Sequence, residues 1–246
     1  MGYEASAAYY DLFGEKPDIP YYTTLGKTCG SAAELGVGTA RVAIELARAG
    51  VPVVGIDNSE KMLEVAQAKI ARCSREEQER ITLCKADMTD FHLPSPVPLV
   101  YIPSSGLSHC ITPDEQLACL TCIYDNLEPG GLLACDLHLP GQSYSSTLTQ
   151  AGIQQYEGKT IVRWISNRAD FSRRLLYTTL IFEEYTDSIL TSQVLEHSCV
   201  GLIYREDFLS LLRKTGFQVQ NLYGDFTLSP QVTDLLVVEA RKPKSF

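Results

Sequence analysis

The residues with the most chemical potential in this chain lie between Ser31 and Asp57. Glu34 stands two positions before Gly36, Gly38 follows, an amphipathic stretch runs over 39–49, and a second apolar run over 52–57 ends in Asp57. A short strand, a glycine turn, a helix and a second strand closed by an acid form a nucleotide-binding βαβ half-unit. Gly36 and Gly38 would let the turn backbone approach a ligand, and Asp57 can accept both hydrogen bonds of a ribose diol. Glu34 faces whatever lies over the turn, where it would repel a pyrophosphate. The third glycine of a dinucleotide turn is also missing from Gly36-Val37-Gly38-Thr39-Ala40-Arg41. The pattern suits a nucleoside ligand that brings a cation. The plain alternative is a tight turn with a surface glutamate.

S-adenosylmethionine is such a ligand, with an ammonium, a sulfonium and no phosphate. Glu34-Leu-Gly-Val-Gly-Thr39 resembles the ExGxGT signature of class I SAM-dependent methyltransferases. Ile56-Asp57-Asn58-Ser59-Glu-Lys-Met62-Leu63 resembles their second motif, Ala86-Asp87-Met88 their third, and Leu127-Glu-Pro-Gly-Gly-Leu132 the turn before their fifth strand. The resemblance covers residues 30–140 strongly and the remainder loosely. Many relatives carry Cys or Ser and then Gly where this chain has Val37 and Ala40; Ala40 is small enough to keep binding.

The resemblance implies roles for particular residues. Glu34 would hold the methionine ammonium, with Gly36 and Gly38 beneath it. Asp57 would hold the ribose, with Asn58 beside it in the motif, and Asp87 and Met88 the adenine. Met62 could pack on the adenine or belong to the helix core. Tyr10, of the pair Tyr10-Asp11, would lie over the site from an N-terminal helix covering the cofactor and is counted with His109 as a catalytic candidate, or else would pack on the sheet edge. Tyr22 matches a position that reaches the methionine end. After a strand over 97–102 comes Pro103-Ser-Ser-Gly-Leu-Ser-His109, placed where ligands meet the carboxyl ends of α/β strands. Ser104 is counted with the cofactor. His109 could take a proton from an acceptor amine or hydroxyl, or be a structural hydrogen-bonder. The loop lacks the Asn-Pro-Pro-Tyr or Asp-Pro-Pro-Tyr signature of base and protein-amide N-methyltransferases.

The elements that must position these residues follow from periodicity. Helices are expected over 3–13, from Tyr21, over 39–49, from Ser59, from Thr112 to about Leu127, and over 205–216. Strands are expected over 52–57, 81–86, 97–102 and 132–137, with a final pair over 217–226 and 235–240. Between them, Thr160–Ile165, Arg174–Tyr185 and Ile189–Val200 are rich in β-branched and aromatic residues. They read as a three-stranded antiparallel insertion that covers the site mouth, with Arg163, Trp164, Tyr177 and Tyr185 as candidate substrate contacts; a homodimer contact is the rival use. The fold class is therefore α/β: a Rossmann-like, seven-stranded doubly wound sheet with an antiparallel final edge and a small inserted β lid. The domain reading is 1–140 with 204–246 as the SAM-binding core and 141–203 as the lid.

Composition narrows the partners. The 246 residues carry a net charge of −9, which argues against a nucleic-acid backbone as partner. No apolar run is long enough for a membrane helix, and the start Met-Gly-Tyr-Glu-Ala-Ser has no apolar signal core, so a cytoplasmic protein is expected. Gly2 and Ser6 match the outline of a myristoylation start, a short pattern often met by chance. The eight cysteines are scattered; Cys119-Leu-Thr-Cys122 lacks a second ligand pair, and no metal site is expected. The function that results is transfer of a methyl group from SAM to a small-molecule N- or O-acceptor by in-line displacement, leaving S-adenosylhomocysteine. The alternatives are a SAM-binding regulatory protein without catalysis and, more remotely, a nicotinamide dehydrogenase.

Overall fold

The computed structural model describes residues 5–141 and 144–244; Gly2 of the myristoylation outline lies outside them. Seven strands form one sheet in the order β10-β11-β5-β4-β1-β2-β3. The strands are β1 (Ala32–Leu35), β2 (Val53–Asp57), β3 (Ile81–Lys85), β4 (Val97–Ile102), β5 (Leu127–His138), β10 (Gln218–Tyr223) and β11 (Leu235–Arg241). The five from β1 to β5 are mutually parallel, and β11 pairs antiparallel with both β5 and β10. Near-continuous burial of Ala32 to Leu35, and of Leu99 to Ile102, is what a parallel sheet covered on both faces requires.

Helices cover the two faces: α1 (Asp18–Cys29), α2 (Arg41–Arg48), α3 (Glu60–Ile70), α4 (Arg75–Glu79), α5 (Pro113–Asn126) and α6 (Arg205–Thr215). Local sequence sets their ends. Thr112 caps α5 in a reciprocal box with Glu115, Pro113 opens the helix, and Gly216 closes α6 in the left-handed region. The helix expected from Ser59 to the charged run ends at Ile70, because Ser74 and Glu77 form a second capping box that starts α4. The N-terminal helix is a single 3-10 segment, Ala7–Leu12.

The insertion departs from expectation in one respect. It has four antiparallel strands, β6 (Thr149–Tyr156), β7 (Lys159–Asp170), β8 (Leu175–Thr186) and β9 (Ile189–Gly201). Its first strand, with Gln150, Gln154 and Gln155 and little apolar character, is held by its ladder to β7. Strand β5 is also longer than expected, because Pro129-Gly130-Gly131 stays within it.

Gly55 lies at the middle of β2 between β1 and β3. A Cβ there would meet Val37 Cγ2 at 2.6 Å and Leu83 Cδ2 at 3.1 Å, so the glycine makes room for the turn above β1. Gly55→Ala is expected to destabilise the fold by about 1–3 kcal/mol, read as a lower urea midpoint at unchanged m-value.

Candidate active site

Strand order reverses at β1, which pairs with β2 on one side and β4 on the other. Such a switch point opens a crevice at the strand carboxyl ends, and a cavity of about 680 Å³ fills it. Tyr10, Glu34, Gly36, Gly38, Asp57, Asn58, Met62, Asp87, Met88, Ser104 and His109 all line it. Tyr22 does not.

Two carboxylates shape the turn. Asp57 accepts from Gly38 N and Ser59 N, each at 2.8 Å and each on a different oxygen. Val37 N donates to Ile56 O at 2.9 Å, so the glycine turn is tied to the end of β2 twice. Gly36 and Gly38 have φ of +67° and +53°. Ala40 also sits at φ +60° as the residue before α2, a conformation that disfavours a side chain. Glu34 is 1 % exposed and directly opposite Tyr101 in the β1–β4 register. The Tyr101 hydroxyl donates to Glu34 Oε2 at 2.7 Å. Burial pushes the Glu34 carboxyl up to about 8, against the pull of that hydroxyl and of Arg41.

At the far side, Asp87 accepts from Thr89 Oγ1 at 2.6 Å and Thr89 N at 2.8 Å, which lower its pKa. Asn58 Nδ2 reaches its other oxygen at 3.4 Å. Met88 Cε lies 3.8 Å from where a Cβ on Gly36 would stand, so the thioether borders the glycine turn. Met62 is 5 % exposed and belongs to the buried face of α3 while also lining the cavity.

The opposite end is built by the loop after β4, the N-terminal segment and the lid. His109 ends a 3-10 turn, Gly106–His109; burial lowers its pKa, and the charge of Asp57 opposes that shift. Ser104 and Ser105 both hold φ of +56°. Asp136, 2 % exposed on β5, fixes them by accepting Ser104 N at 3.0 Å and Ser105 N at 2.9 Å. Tyr22 belongs to this support: its hydroxyl donates to Asp136 Oδ1 at 2.7 Å and its ring stacks on Tyr101 at 5.1 Å.

Sequence reasoning missed Arg41, Thr39, Ile111, Glu115, His197, Ser198 and Cys199, all of which line the cavity. Arg41 was the legible one, since it follows the glycine turn directly. It forms a two-point pair with buried Asp18 at 2.8 and 2.6 Å and donates to Ser104 Oγ at 2.8 Å. The lid residues gave no signal, because which face of an antiparallel strand points inward depends on register. Of the lid candidates, Tyr177 lines the cavity. Arg163 instead stacks on Phe13 at 4.6 Å, and Trp164 and Tyr185 both donate to Glu183.

Residues 32–131 match the family model described as a methyltransferase domain. The resemblance to class I SAM-dependent methyltransferases read from its motifs thus stands on the sequence and on the fold. A Geobacillus sp. (strain WCH70) protein named as a methyltransferase is 31% identical over 147 residues; the match takes in 56% of this chain and spans 58% of that relative's length. The CcbJ methyltransferase of Streptomyces caelestis superposes with a TM-score of 0.82 at 22% identity, covering 98% of this chain and 97% of that one. The sugar N-methyltransferase KedS8 from Streptoalloteichus sp. superposes at 0.72 with 16% identity, covering 99% and 89%. At these identities the two structures speak for the fold, lid included.

Tyr22→Phe should leave Asp136 short of one donor in a buried place and cost about 1–3 kcal/mol of stability, measured by denaturant unfolding.

Proposed function

We propose that this protein is an S-adenosylmethionine-dependent methyltransferase acting on an amine of a small molecule. The observation that carries the reading is one cavity joining the glycine turn, Asp57 and Asp87 at one end to His109 and the lid at the other. The residues fit the cofactor. Each Asp57 oxygen accepts one backbone N–H and keeps a second acceptor position, which matches a ribose diol. Tyr101 donates to Glu34 Oε2, and a carboxylate that lines the cavity beside the glycine turn suits an ammonium. Asp87, held ionised, suits the adenine amine, with Met88 and Met62 as apolar walls.

When bound, SAM supplies a methyl group made electrophilic by its sulfonium. The chain's own work is to orient and to exclude water. A nucleophile must be held about 3–3.5 Å from its target carbon and in line. The lid and the N-terminal segment close the cavity over that position, with Tyr10, Tyr177 and His197 as its polar walls. An amine must arrive with its lone pair free; as the C–N bond formed, the S–CH3 bond would break and its electron pair would stay on sulfur in S-adenosylhomocysteine, after which the amine would lose a proton. In this reading His109, which burial favours in its neutral form and which lines the same cavity, accepts that proton. The fold shared with a sugar N-methyltransferase supports an amine over a hydroxyl as acceptor.

Calorimetry with SAM tests the cofactor half. A Glu34 carboxyl with a pKa near 8 is mostly protonated at pH 7 in the free protein, and an ammonium would ionise it. Binding at pH 7 is therefore expected to release close to one proton, seen as an enthalpy that varies with buffer ionisation enthalpy, and to release none at pH 9. Glu34→Gln should bind more weakly and show no such release. Absence of SAM binding to the wild type would overturn the reading.

The acceptor half is read by release of S-adenosylhomocysteine with a panel of small amines. With an amine that turns over, kcat should rise with pH through a midpoint below about 6.5, because the neutral imidazole is the competent form and burial lowers its pKa. His109→Gln should remove that limb; an unchanged limb would take His109 out of the proton transfer.

A further inference from the structure

A second chamber of about 310 Å³ adjoins the acceptor end of the main cavity, and Tyr177, His197 and Ser198 line both. Beyond these shared walls its lining is hydroxyl-rich, with Ser146, Ser166, Thr178 and Thr179, and contains one formal charge, Arg168. None of its lining residues is an aspartate or glutamate, in a chain with 30 acidic against 21 basic residues. The local sign of charge is thus opposite to that of the whole molecule.

Arg168 is also uncommitted. Its guanidinium lies over the ring of its cross-strand partner Tyr177, 4.5 Å from the centroid. Among the described residues it makes no ion pair and donates no hydrogen bond. By contrast Arg41, which lines the main cavity, is paired with Asp18, and Arg174 is paired with Asp207 at 2.6 Å. Stacking fixes the plane of a guanidinium and leaves its N–H edge exposed, the geometry that receives a carboxylate or phosphate by two parallel hydrogen bonds. His197 Nδ1 is engaged by Thr179 Oγ1 at 3.1 Å, so that side chain is held at the junction between the two spaces.

We propose that this chamber is a subsite for an anionic group, a carboxylate or a phosphate ester, carried by the methyl acceptor, with Arg168 as its counter-ion. The proposal rests on the methyltransferase reading for its occupant. An acceptor whose amine reaches past His197 toward His109 would leave its other end among these hydroxyls. There Arg168 would neutralise an anion and the Ser and Thr side chains would hydrogen-bond the remaining oxygens.

The test is a titration of protein saturated with S-adenosylhomocysteine, using glucosamine, glucosamine 1-phosphate and glucosaminic acid as matched probes. At least one anionic probe is expected to bind roughly tenfold or more tightly than glucosamine. Whichever anionic probe gains identifies the source as phosphate or carboxylate. Arg168→Gln should abolish the gain, Arg168→Lys should restore part of it, and neither should change affinity for S-adenosylhomocysteine. No gain over glucosamine, no binding of any probe, or a gain that survives Arg168→Gln would overturn the subsite. Failure of S-adenosylhomocysteine to bind the wild type would instead overturn the methyltransferase reading, and the same probe titration on the unloaded protein would still decide whether Arg168 holds an anion.

Discussion

A carboxylate sealed inside a protein must be hydrogen-bonded or it will not stay. Asp136 meets that condition through three donors from two separate segments: the Tyr22 hydroxyl from α1 and the Ser104 and Ser105 amides from the loop after β4. Desolvation raises its pKa, and the Tyr22 and Ser105 bonds oppose that rise. The consequence for the site is geometric. Two consecutive non-glycine residues are held at positive φ, a conformation costing on the order of 1–2 kcal/mol each. This turn carries Ser104 Oγ to Arg41, and Arg41 is itself clamped by Asp18 at the start of α1. Helix α1, strand β5, the loop after β4 and the start of α2 beyond the glycine turn therefore form a closed circuit of polar contacts.

A second constraint joins the lid to the core. The short N-terminal segment touches both. Tyr9 stacks on Phe182 at 5.1 Å and donates to Glu184, while Ala5 N and Ser6 N donate to Glu196, all on the lid. Asp11, two residues past Tyr9, accepts from Thr39 Oγ1 and Lys69 Nζ at 2.8 Å each, on the core. Tyr10 between them lines the cavity. A sheet with few helix contacts of its own thus acquires a fixed edge over the site, and the cover expected from an N-terminal helix is achieved by one 3-10 turn.

The parallel half of the fold was readable because its signals are local. A strand, glycine turn and helix are adjacent in the chain, and caps such as Ser59 and Thr112 declare helix starts within four residues. Glu34, Gly36, Asp57 and Asp87 inherited that legibility, since each lies at or within two residues of the end of a parallel strand. Tyr22 shows the limit: its neighbourhood to the glycine turn in sequence was plain, but its hydroxyl points to Asp136, more than a hundred positions away. The lid was harder. Strand β6 has no apolar alternation to announce it, and Tyr177 was separable from Trp164 and Tyr185 as a cavity residue only once the register of β7, β8 and β9 was known. A slip of one residue would exchange the two faces of the sheet.

The charges along the cavity are sorted in a way that bears on how molecules would lie in it. Asp57 and Asp87 gather at the glycine-turn end with Glu34, which an ammonium would ionise, and Arg41 there is paired with Asp18, so the cationic groups of SAM would be welcome and an anion would not. The far chamber has an arginine and hydroxyls in their place. At an effective dielectric constant near 20, a unit charge pair at 4 Å interacts by about 4 kcal/mol, enough to reject the reversed arrangement of a zwitterionic molecule. His109 and His197 occupy the stretch between the two poles, and neither needs to carry charge for the sorting to work. An acceptor with an amine at one end and an anion at the other would enter this field in one direction only, amine first, which is the direction that brings a nitrogen lone pair toward the cofactor end.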